Sequence, residues 1–247
     1  MKNQEITADQ IDSDIDKLFS NILVQSEMEV ELPSRGKLYK GYKGVKLIPL
    51  TFEDEQKILL ARDTGYDPIN EILEKCVKGV EVPELVSMDK MYLLMKVREL
   101  SYGPIYKFDY NCPKCSESSK VHLDLASELP VEYVPDDFAD PQELELPVLR
   151  VKAKVRMPRN YELHYLEGIE ESISNTFRFV KEIDGNSNPM FIQKVLKKMH
   201  IRDRKLISEC ISTSKYGIQS QFKFVCGHCN ASQVVGVPFT ASFFSVT

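Results

Sequence analysis

Hydrophobic and polar residues alternate with a period of two in two separate stretches, YKFDYNCPKCSESSKVHLDL and QFKFVCGHCNASQVVGVPF. This period is typical of half-buried β-strands, because successive side chains point to opposite faces of a sheet. In both stretches Cys-x-x-Cys and a short polar turn interrupt the alternation, which then resumes. Each stretch therefore predicts a β-hairpin with two cysteines at its tip, Cys112 and Cys115 in one and Cys226 and Cys229 in the other.

A helical period precedes each predicted hairpin. Apolar residues recur three and four positions apart in MDKMYLLMKVREL and RDRKLISECISTS, and Tyr-Gly follows each segment. Glycine commonly ends a helix, because it adopts the left-handed conformation without strain. We therefore predict two helices stopped by Gly103 and Gly217, with Ser87 as the N-cap of the first.

The two stretches match each other position by position. The same number of residues separates the members of five matching pairs: Asp89 and Asp203, Leu93 and Ile207, Val97 and Ile211, Phe108 and Phe222, and Cys112 and Cys226. Upstream, VKLIPLTFEDEQKILL resembles VKAKVRMPRNYELHYL, and both predict a strand, a turn and an amphipathic helix. Thr51 with Asp54 forms a start like a capping box in the first segment, and Pro158 suits the first helical turn of the second. We predict an α+β fold of internally duplicated strand, helices and β-hairpin units, residues 29–125 and 151–247.

Residues 1–28 form an amphipathic segment that precedes the first unit. A stripe of apolar residues recurs there at helical spacing: Ile11, Ile15, Leu18, Phe19, Ile22 and Leu23. Such a stripe either binds a partner or folds onto the protein's own core, and the sequence leaves both alternatives open. Between the units, residues 126–150 are rich in acidic residues and proline, which predicts an extended, solvated linker.

Composition narrows the class of protein. The 247 residues are 43% hydrophobic and 28% charged, as in ordinary globular proteins. The net charge of −5 argues against nucleic acid as the main partner, because such binding relies on neutralising phosphates. No apolar run approaches the roughly 20 residues of a membrane span, and MKNQEITADQ has no secretory signal. Basic residues do cluster late in the chain, which we interpret as a solvated helix face: Lys194, Lys197, Lys198, Arg202, Arg204 and Lys205.

The paired cysteines favour a metal over redox chemistry. A redox Cys-x-x-Cys needs a stabilised thiolate, commonly at a helix N-terminus, whereas the residues after Cys229 alternate like a strand. Two knuckles in equivalent hairpins can instead supply four thiolates to one zinc, giving a structural ribbon without an open coordination position. Unmetallated or disulfide-linked pairs are the other alternative. We predict a structural zinc site formed by Cys112, Cys115, Cys226 and Cys229.

The remaining candidate side chains fit structural roles. His228 is expected to be exposed at a knuckle tip, and Cys76 and Cys210 lie on apolar helix faces and are expected to be buried. The chain has no GxSxG, HExxH or glycine-rich phosphate loop, so we do not predict an enzyme or a small-molecule substrate.

The first unit resembles a known family. The order of ELPSRGKLY, VKLIPLTFEDEQKIL, INEILEKCVKG and MDKMYLLMKVRELSYGPIYKFDYNCPKC is similar to baseplate hub assembly proteins of T4-type contractile-tailed bacteriophages. The resemblance covers residues 31–125, a little over a third of the chain. Its landmarks include Pro-Ser-x-Gly-x-x-Tyr, Arg98 in the Asp89 helix, Ser101-Tyr102-Gly103 and Cys-x-x-Cys. The Arg and Ser landmarks become Ser212 and Lys215 in the second unit.

The resemblance implies a non-enzymatic assembly factor or minor component of the phage baseplate hub. Its partners would be other hub proteins, and it would act in the host cytoplasm during assembly and could enter the virion baseplate. The alternative is a cytosolic zinc-ribbon adaptor in a transcription or RNA-handling complex. Lys114, Glu117 and Lys120 near the first knuckle give it no strong basic excess, which argues against that alternative.

Overall fold

The computed structural model describes residues 8–25, 27–64, 68–168, 174–212, 215–239 and 241–244. Side chains of residues 8, 9, 19–25, 62–64, 241 and 242 lie outside this description. The α-helices are α1 Ala8–Gln25, α2 Phe52–Thr64, α3 Ile69–Cys76, α4 Ser87–Tyr102, α5 Pro189–Lys198 and α6 Ile201–Ser212. Short 3₁₀ helices span Val82–Glu84, Asn160–Leu166, Thr176–Arg178 and Ala241–Phe244.

The strands form several small antiparallel sheets. They are β1 Met28–Val30, β2 Val45–Leu47, β3 Val77–Lys78, β4 Ile105–Asn111, β5 Ser118–Asp124, β6 Val131–Glu132, β7 Gln142–Leu146, β8 Val151–Val155, β9 Val180–Ile183, β10 Gly217–Ile218, β11 Gln221–Val225 and β12 Ser232–Gly236. The orders β1-β2-β3 and β7-β8-β9 make three-stranded sheets, while β4-β5 and β11-β12 are hairpins and β6 pairs with β10. The prediction of a mixed fold of helices and small sheets is confirmed.

Among the described residues, two large hydrophobic cores and a smaller cluster of Val86, Met88, Val134 and Met157 stabilise this arrangement. The first lies around α3, α4 and the first three-stranded sheet, and it includes five side chains from late in the chain: Phe222, Val235, Val237, Phe243 and Phe244. The second lies between β7-β8-β9, α5 and α6. Cys76 is buried in the first core and Cys210 in the second, as predicted. Burial raises the pKa of Cys76 to about 12 and that of Cys210 to about 11, which makes both thiols unreactive at neutral pH.

Local chemistry sets the boundaries of α2 and α4 as the sequence indicates, with one exception. The Thr51 N–H and Oγ1 donate to Asp54 Oδ2 at 2.8 and 2.6 Å, which confirms the cap of α2. Gly103 has φ +83° and its N–H donates to the Glu99 carbonyl at 2.9 Å, which ends α4. The prediction of Ser87 as N-cap is wrong. Val86 holds that position. Its backbone is extended, and its N–H donates to Tyr39 Oη at 3.2 Å.

The prediction of an amphipathic α-helix after β8 is wrong, because hydrogen bonds to other parts of the chain decide the conformation there rather than the spacing of apolar residues. Residues Asn160–Leu166 form a 3₁₀ helix, and Pro158 precedes it rather than lying in its first turn. The Asn160 N–H donates to the Leu85 carbonyl at 2.7 Å, and Glu162 accepts the Arg159 N–H at 3.0 Å.

Gly217 does not end a helix as predicted. Helix α6 stops at Ser212, and Gly217 begins β10, where it pairs with Glu132. A Cβ at Gly217 would lie only 2.8 Å from Cβ of Met88, and its φ is +93°. Glycine is therefore required by close packing against α4.

The acidic segment between the predicted units is partly folded. Strand β7 within it pairs with β8, and Leu129, Val134 and Leu146 are buried. The prediction of a solvated linker over residues 126–150 is wrong at these positions, because it rested on charge and proline content and ignored the interspersed apolar residues. The domain boundaries themselves stay a prediction.

The amphipathic stripe lies on α1. Ile11, Ile15 and Leu18 are 47%, 46% and 65% exposed, so these three side chains are not packed into a core. Phe19, Ile22 and Leu23 also belong to α1, but their side chains lie outside the described part of the chain. In the part of the chain that the structure describes, no helix combines the length and apolar character needed to cross a membrane.

Candidate metal centre

Both cysteine pairs lie in tight knuckles at hairpin tips. In the first, the Cys112 N–H donates to the Glu117 carbonyl at 3.0 Å and the Ser116 N–H to the Cys112 carbonyl at 2.8 Å. In the second, Cys226 and Asn230 make the same two bonds, to the Ala231 and Cys226 carbonyls, at 3.0 and 2.9 Å. Ser116 and Asn230 both have positive φ, +60° and +54°. The two knuckles therefore share one backbone geometry.

The fold brings the four predicted cysteines together. All four Sγ atoms lie within 4.8 Å of one another. The contacts cross between hairpins, with 3.8 Å from Cys112 Sγ to Cys229 Sγ and 3.8 Å from Cys115 Sγ to Cys226 Sγ. A disulfide would need about 2.05 Å, whereas four sulfurs arranged tetrahedrally about 2.3 Å from one zinc are about 3.8 Å apart. The cysteines are free, and their spacing fits a metal ion.

Backbone N–H groups favour thiolates at this cluster. The N–H of Cys115, aided by that of Lys114, lowers the pKa of Cys112 to about 6. The N–H groups of Cys229 and His228 likewise lower the pKa of Cys226. At Cys115 the Glu117 N–H lowers the pKa, but desolvation and the neighbouring thiols outweigh it and raise the pKa to about 12. Several thiolates this close repel one another, so a bound cation is what would stabilise all four in the charged form.

The segment that follows the second knuckle is a strand, as predicted. Strand β12 follows Cys229, so Cys226 has no helix N-terminus to stabilise a reactive thiolate. His228 is exposed at the knuckle tip, and the clustered ligand atoms are the four sulfurs. Four clustered thiolates are a donor set that is compatible with a metal ion.

Aromatic residues below the knuckles pack in matched pairs across the two hairpins. The rings of Tyr110 and Phe224 are 5.3 Å apart at 73°, and those of Phe108 and Phe222 are 6.1 Å apart at 86°. In each pair, one residue contacts the residue at the equivalent position of the other hairpin. Together with the crossed cysteine contacts, this gives the site a local two-fold character.

The sequence patterns did not indicate Gln233, which contacts a candidate metal ligand. Its Nε2 donates to Cys112 Sγ at 3.1 Å, and its Oε1 accepts from Tyr110 Oη at 3.0 Å. The equivalent position in the first hairpin is Ser119, whose Oγ is buried without a hydrogen-bond partner among the described residues. Gln233 stands on β12 while both of its partners belong to the other hairpin, so no local sequence signal indicates the contact.

A family comparison covers nearly the whole chain. The sequence model of a family described as T4 bacteriophage base plate protein matches residues 12–245. The chain belongs to this family. No curated protein and no solved structure matches it. The match extends the resemblance found in residues 31–125 across both cysteine knuckles, and it indicates a structural protein of the phage baseplate that interacts with other phage proteins.

Proposed function

We propose that this baseplate protein is a non-enzymatic assembly factor or minor component of the tail baseplate hub. The family match over residues 12–245 carries the proposal. The four clustered cysteines support it, because a closed thiolate site provides stability and leaves no coordination position for a substrate. We propose zinc as the ion, since four thiolates are a common donor set for structural zinc.

The proposed place of action is the host cytoplasm during assembly, with other hub proteins as partners. Tagged protein isolated from infected cells tests this by mass spectrometry of assembly intermediates and mature particles. We expect hub proteins to accompany it in the intermediates, and its presence in mature particles would identify it as a component. Its absence from every baseplate fraction would overturn the proposal.

Helix α1 is the proposed contact for a partner. Its described apolar side chains Ile11, Ile15 and Leu18 are exposed on a helix whose other described positions are polar and largely acidic. Deleting residues 1–28 should leave a folded, zinc-loaded protein that no longer recovers its baseplate partners. Loss of cooperative thermal unfolding in this deletion would instead assign α1 to the protein's own core.

We also infer an internal duplication with units at residues 29–125 and 151–247. Both three-stranded sheets have sequential antiparallel order, with β7 of the second sheet preceding residue 151, and each unit contains a helix followed by a hairpin. Leu-Pro lies close to the end of the first strand of each sheet, at Leu32-Pro33 and Leu146-Pro147, and each following loop is held by a fully buried aspartate. Asp89 accepts the Ser34 N–H at 2.9 Å, and Asp203 accepts the Val148 and Leu149 N–H groups at 2.9 Å each.

An experimental structure of the zinc-loaded protein tests the duplication. Superposing the first sheet on the second should also carry Asp89 onto Asp203 and each hairpin onto the other, by rotation about an axis through the metal. If aligning the sheets leaves the helices and hairpins in unrelated positions, the units are not duplicates.

A further inference from the structure

The outer side of α5 and the start of α6 combine exposed apolar and basic side chains. Met190 and Phe191 are 66% and 40% exposed, and Ile201 is 78% exposed. At helical spacing, the exposed Lys194 and Lys198 share the side of α5 that carries Met190 and Phe191, whereas Ile192 and Leu196 face the second core. We call this side of α5 the basic apolar face and define it as Met190, Phe191, Lys194 and Lys198; the exposed Ile201 and Arg202 follow it in sequence at the start of α6.

The positive charge of this face is not balanced nearby in sequence. The single acidic residue among residues 189–205 is Asp203, which is buried and accepts the Val148 and Leu149 N–H groups. The chain as a whole carries a net charge of −5, so the face is a local exception. Exposed apolar groups ringed by charge of one sign are typical of an interaction surface.

Helix α1 has the opposite character. Its apolar stripe runs beside the exposed carboxylates of Asp12, Asp14 and Asp16. The basic residue of this region, Lys17, is 3.4 Å from Asp14, which leaves α1 strongly acidic. The α1 backbone from Ile11 to Leu23 spans about 18 Å along the helix axis, longer than the roughly 15 Å of the 10-residue α5.

We propose that α1 of one copy docks on the basic apolar face of a second copy. The inference rests on the proposed role of α1 as a docking helix and names a receptor for it. Both surfaces are exposed within the single chain, so α1 leaves its own basic apolar face uncovered. Docking buries Met190, Phe191 and Ile201 against the stripe while aspartates meet lysines.

Charge alone would also suit a nucleic acid. A phosphate backbone, however, would gain binding affinity from the lysines alone and would leave the three exposed apolar side chains uncovered. An acidic amphipathic helix satisfies both halves of the surface. The two contacting surfaces differ, so copies associate either head-to-tail, in rings or open chains, or as a two-fold dimer in which each α1 docks on the face of the other copy.

Sedimentation of the full zinc-loaded chain tests the proposal. Over a range from about 1 to about 200 µM, where micromolar contacts populate, the mean mass should rise with concentration. Reversing charge in Lys194→Glu/Lys198→Glu or in Asp12→Lys/Asp16→Lys should weaken self-association at least about tenfold. The control Lys43→Glu/Lys120→Glu makes the same charge change at exposed positions off the face and should leave self-association intact.

Mixing the two charge-reversed variants separates a specific contact from a general charge effect. In the mixture, the unchanged acidic α1 of one variant meets the unchanged basic face of the other, and the reversed α1 meets the reversed face. Association should therefore return in the mixture although each variant alone associates weakly. Thermal unfolding and zinc content of every variant verify that the fold is intact.

Three results would overturn the proposal. They are a monomer at all concentrations, association insensitive to both reversals, and binding of a short DNA duplex lost in Lys194→Glu/Lys198→Glu without self-association. In the first case, recovery of hub partners through α1 would still stand, so this failure is distinguishable from failure of the proposed function.

Discussion

At the scale of single residues, the two hairpins differ in how they support their sulfurs. Cys112 Sγ accepts a hydrogen bond from Gln233, and Tyr110 Oη holds the Gln233 amide in place. Ser119, at the position equivalent to Gln233, makes no such bond among the described residues. Groups that hydrogen-bond metal ligands orient them and tune their affinity, so Gln233 should matter to the metal although it is not a ligand.

Replacing Gln233 tests this role. Gln233→Leu keeps a side chain of similar size but removes the N–H···S bond, and we expect zinc affinity to fall about 10- to 100-fold in competition with a chromophoric chelator. Ser119→Ala is the matched control, since its hydroxyl makes no hydrogen bond to the described part of the chain and affinity should not change. Equal effects of the two substitutions would show that Gln233 contributes packing alone.

A second residue-scale prediction concerns stability in acid. Burial raises the pKa of Glu162, but hydrogen bonds from the Arg156 guanidinium and the Arg159 N–H outweigh burial and lower it below the usual 4.5. The charged form therefore stabilises the fold above about pH 4.5, and this contribution is lost as pH falls through the lowered pKa. Glu162→Gln should reduce the free energy of unfolding at pH 7 by about 1–3 kcal/mol and flatten its decline below about pH 4.5.

Urea unfolding at several pH values measures this effect. Glu143→Gln is the control, because Glu143 also pairs with a basic residue, Lys152, but in a solvent-exposed position. Solvent screens such pairs, so its substitution should change stability little. An identical pH profile for Glu162→Gln and the unsubstituted protein would refute the assignment.

At the scale of elements, the two knuckles should behave as one site. We expect one zinc per chain by elemental analysis, and strong destabilisation by either Cys112→Ser or Cys229→Ser, because metal binding is coupled to folding. The double variant should be little worse than either single variant, since the second change acts on a site already lost. Two zinc ions per chain, or strictly additive losses of stability, would mean separate sites.

The elements that sequence predicted well are those with local causes. The hairpins, the α2 cap and the glycine after α4 depend on alternation, a Thr–Asp pair and one positive φ, all encoded within a few residues. The 3₁₀ helix at Asn160–Leu166 and the buried part of the acidic segment were mispredicted, because bonds to Leu85 and pairing with β8 decide them. The clustering of the four cysteines was predictable from spacing, whereas the contact of Gln233 required the positions of both hairpins.

At the scale of the molecule, the late hairpin completes an early core. Phe222, Val235 and Val237 pack in the first core with residues of α3 and α4. Each fully buried apolar side chain contributes about 1.5–3 kcal/mol, so the hairpin is a substantial part of that core. The metal site at its tip therefore acts on more than the knuckles.

Removing the metal tests this connection. Chelation should reduce hydrogen-exchange protection in α4 as well as in β11 and β12, because the second hairpin loosens from the first core. Helix α5 packs in the second core and serves as the internal control, and its protection should be retained. Loss confined to residues 112–117 and 226–231 would show that the metal stabilises only the knuckles.

The position of the last core residues also has a consequence in time. A ribosome adding about 5–20 residues per second needs roughly 5 to 20 s to travel from Cys115 to Cys226. During that interval only two of the four clustered sulfurs have been synthesised, and the rings of Phe108 and Tyr110 lack their partners in β11. Since Phe243 and Phe244 are still later, the first half of the chain is made first yet is among the last parts to reach its final packing. Nascent chains halted in this window would present unpaired thiols and apolar surface to the proteases and chaperones of the cell.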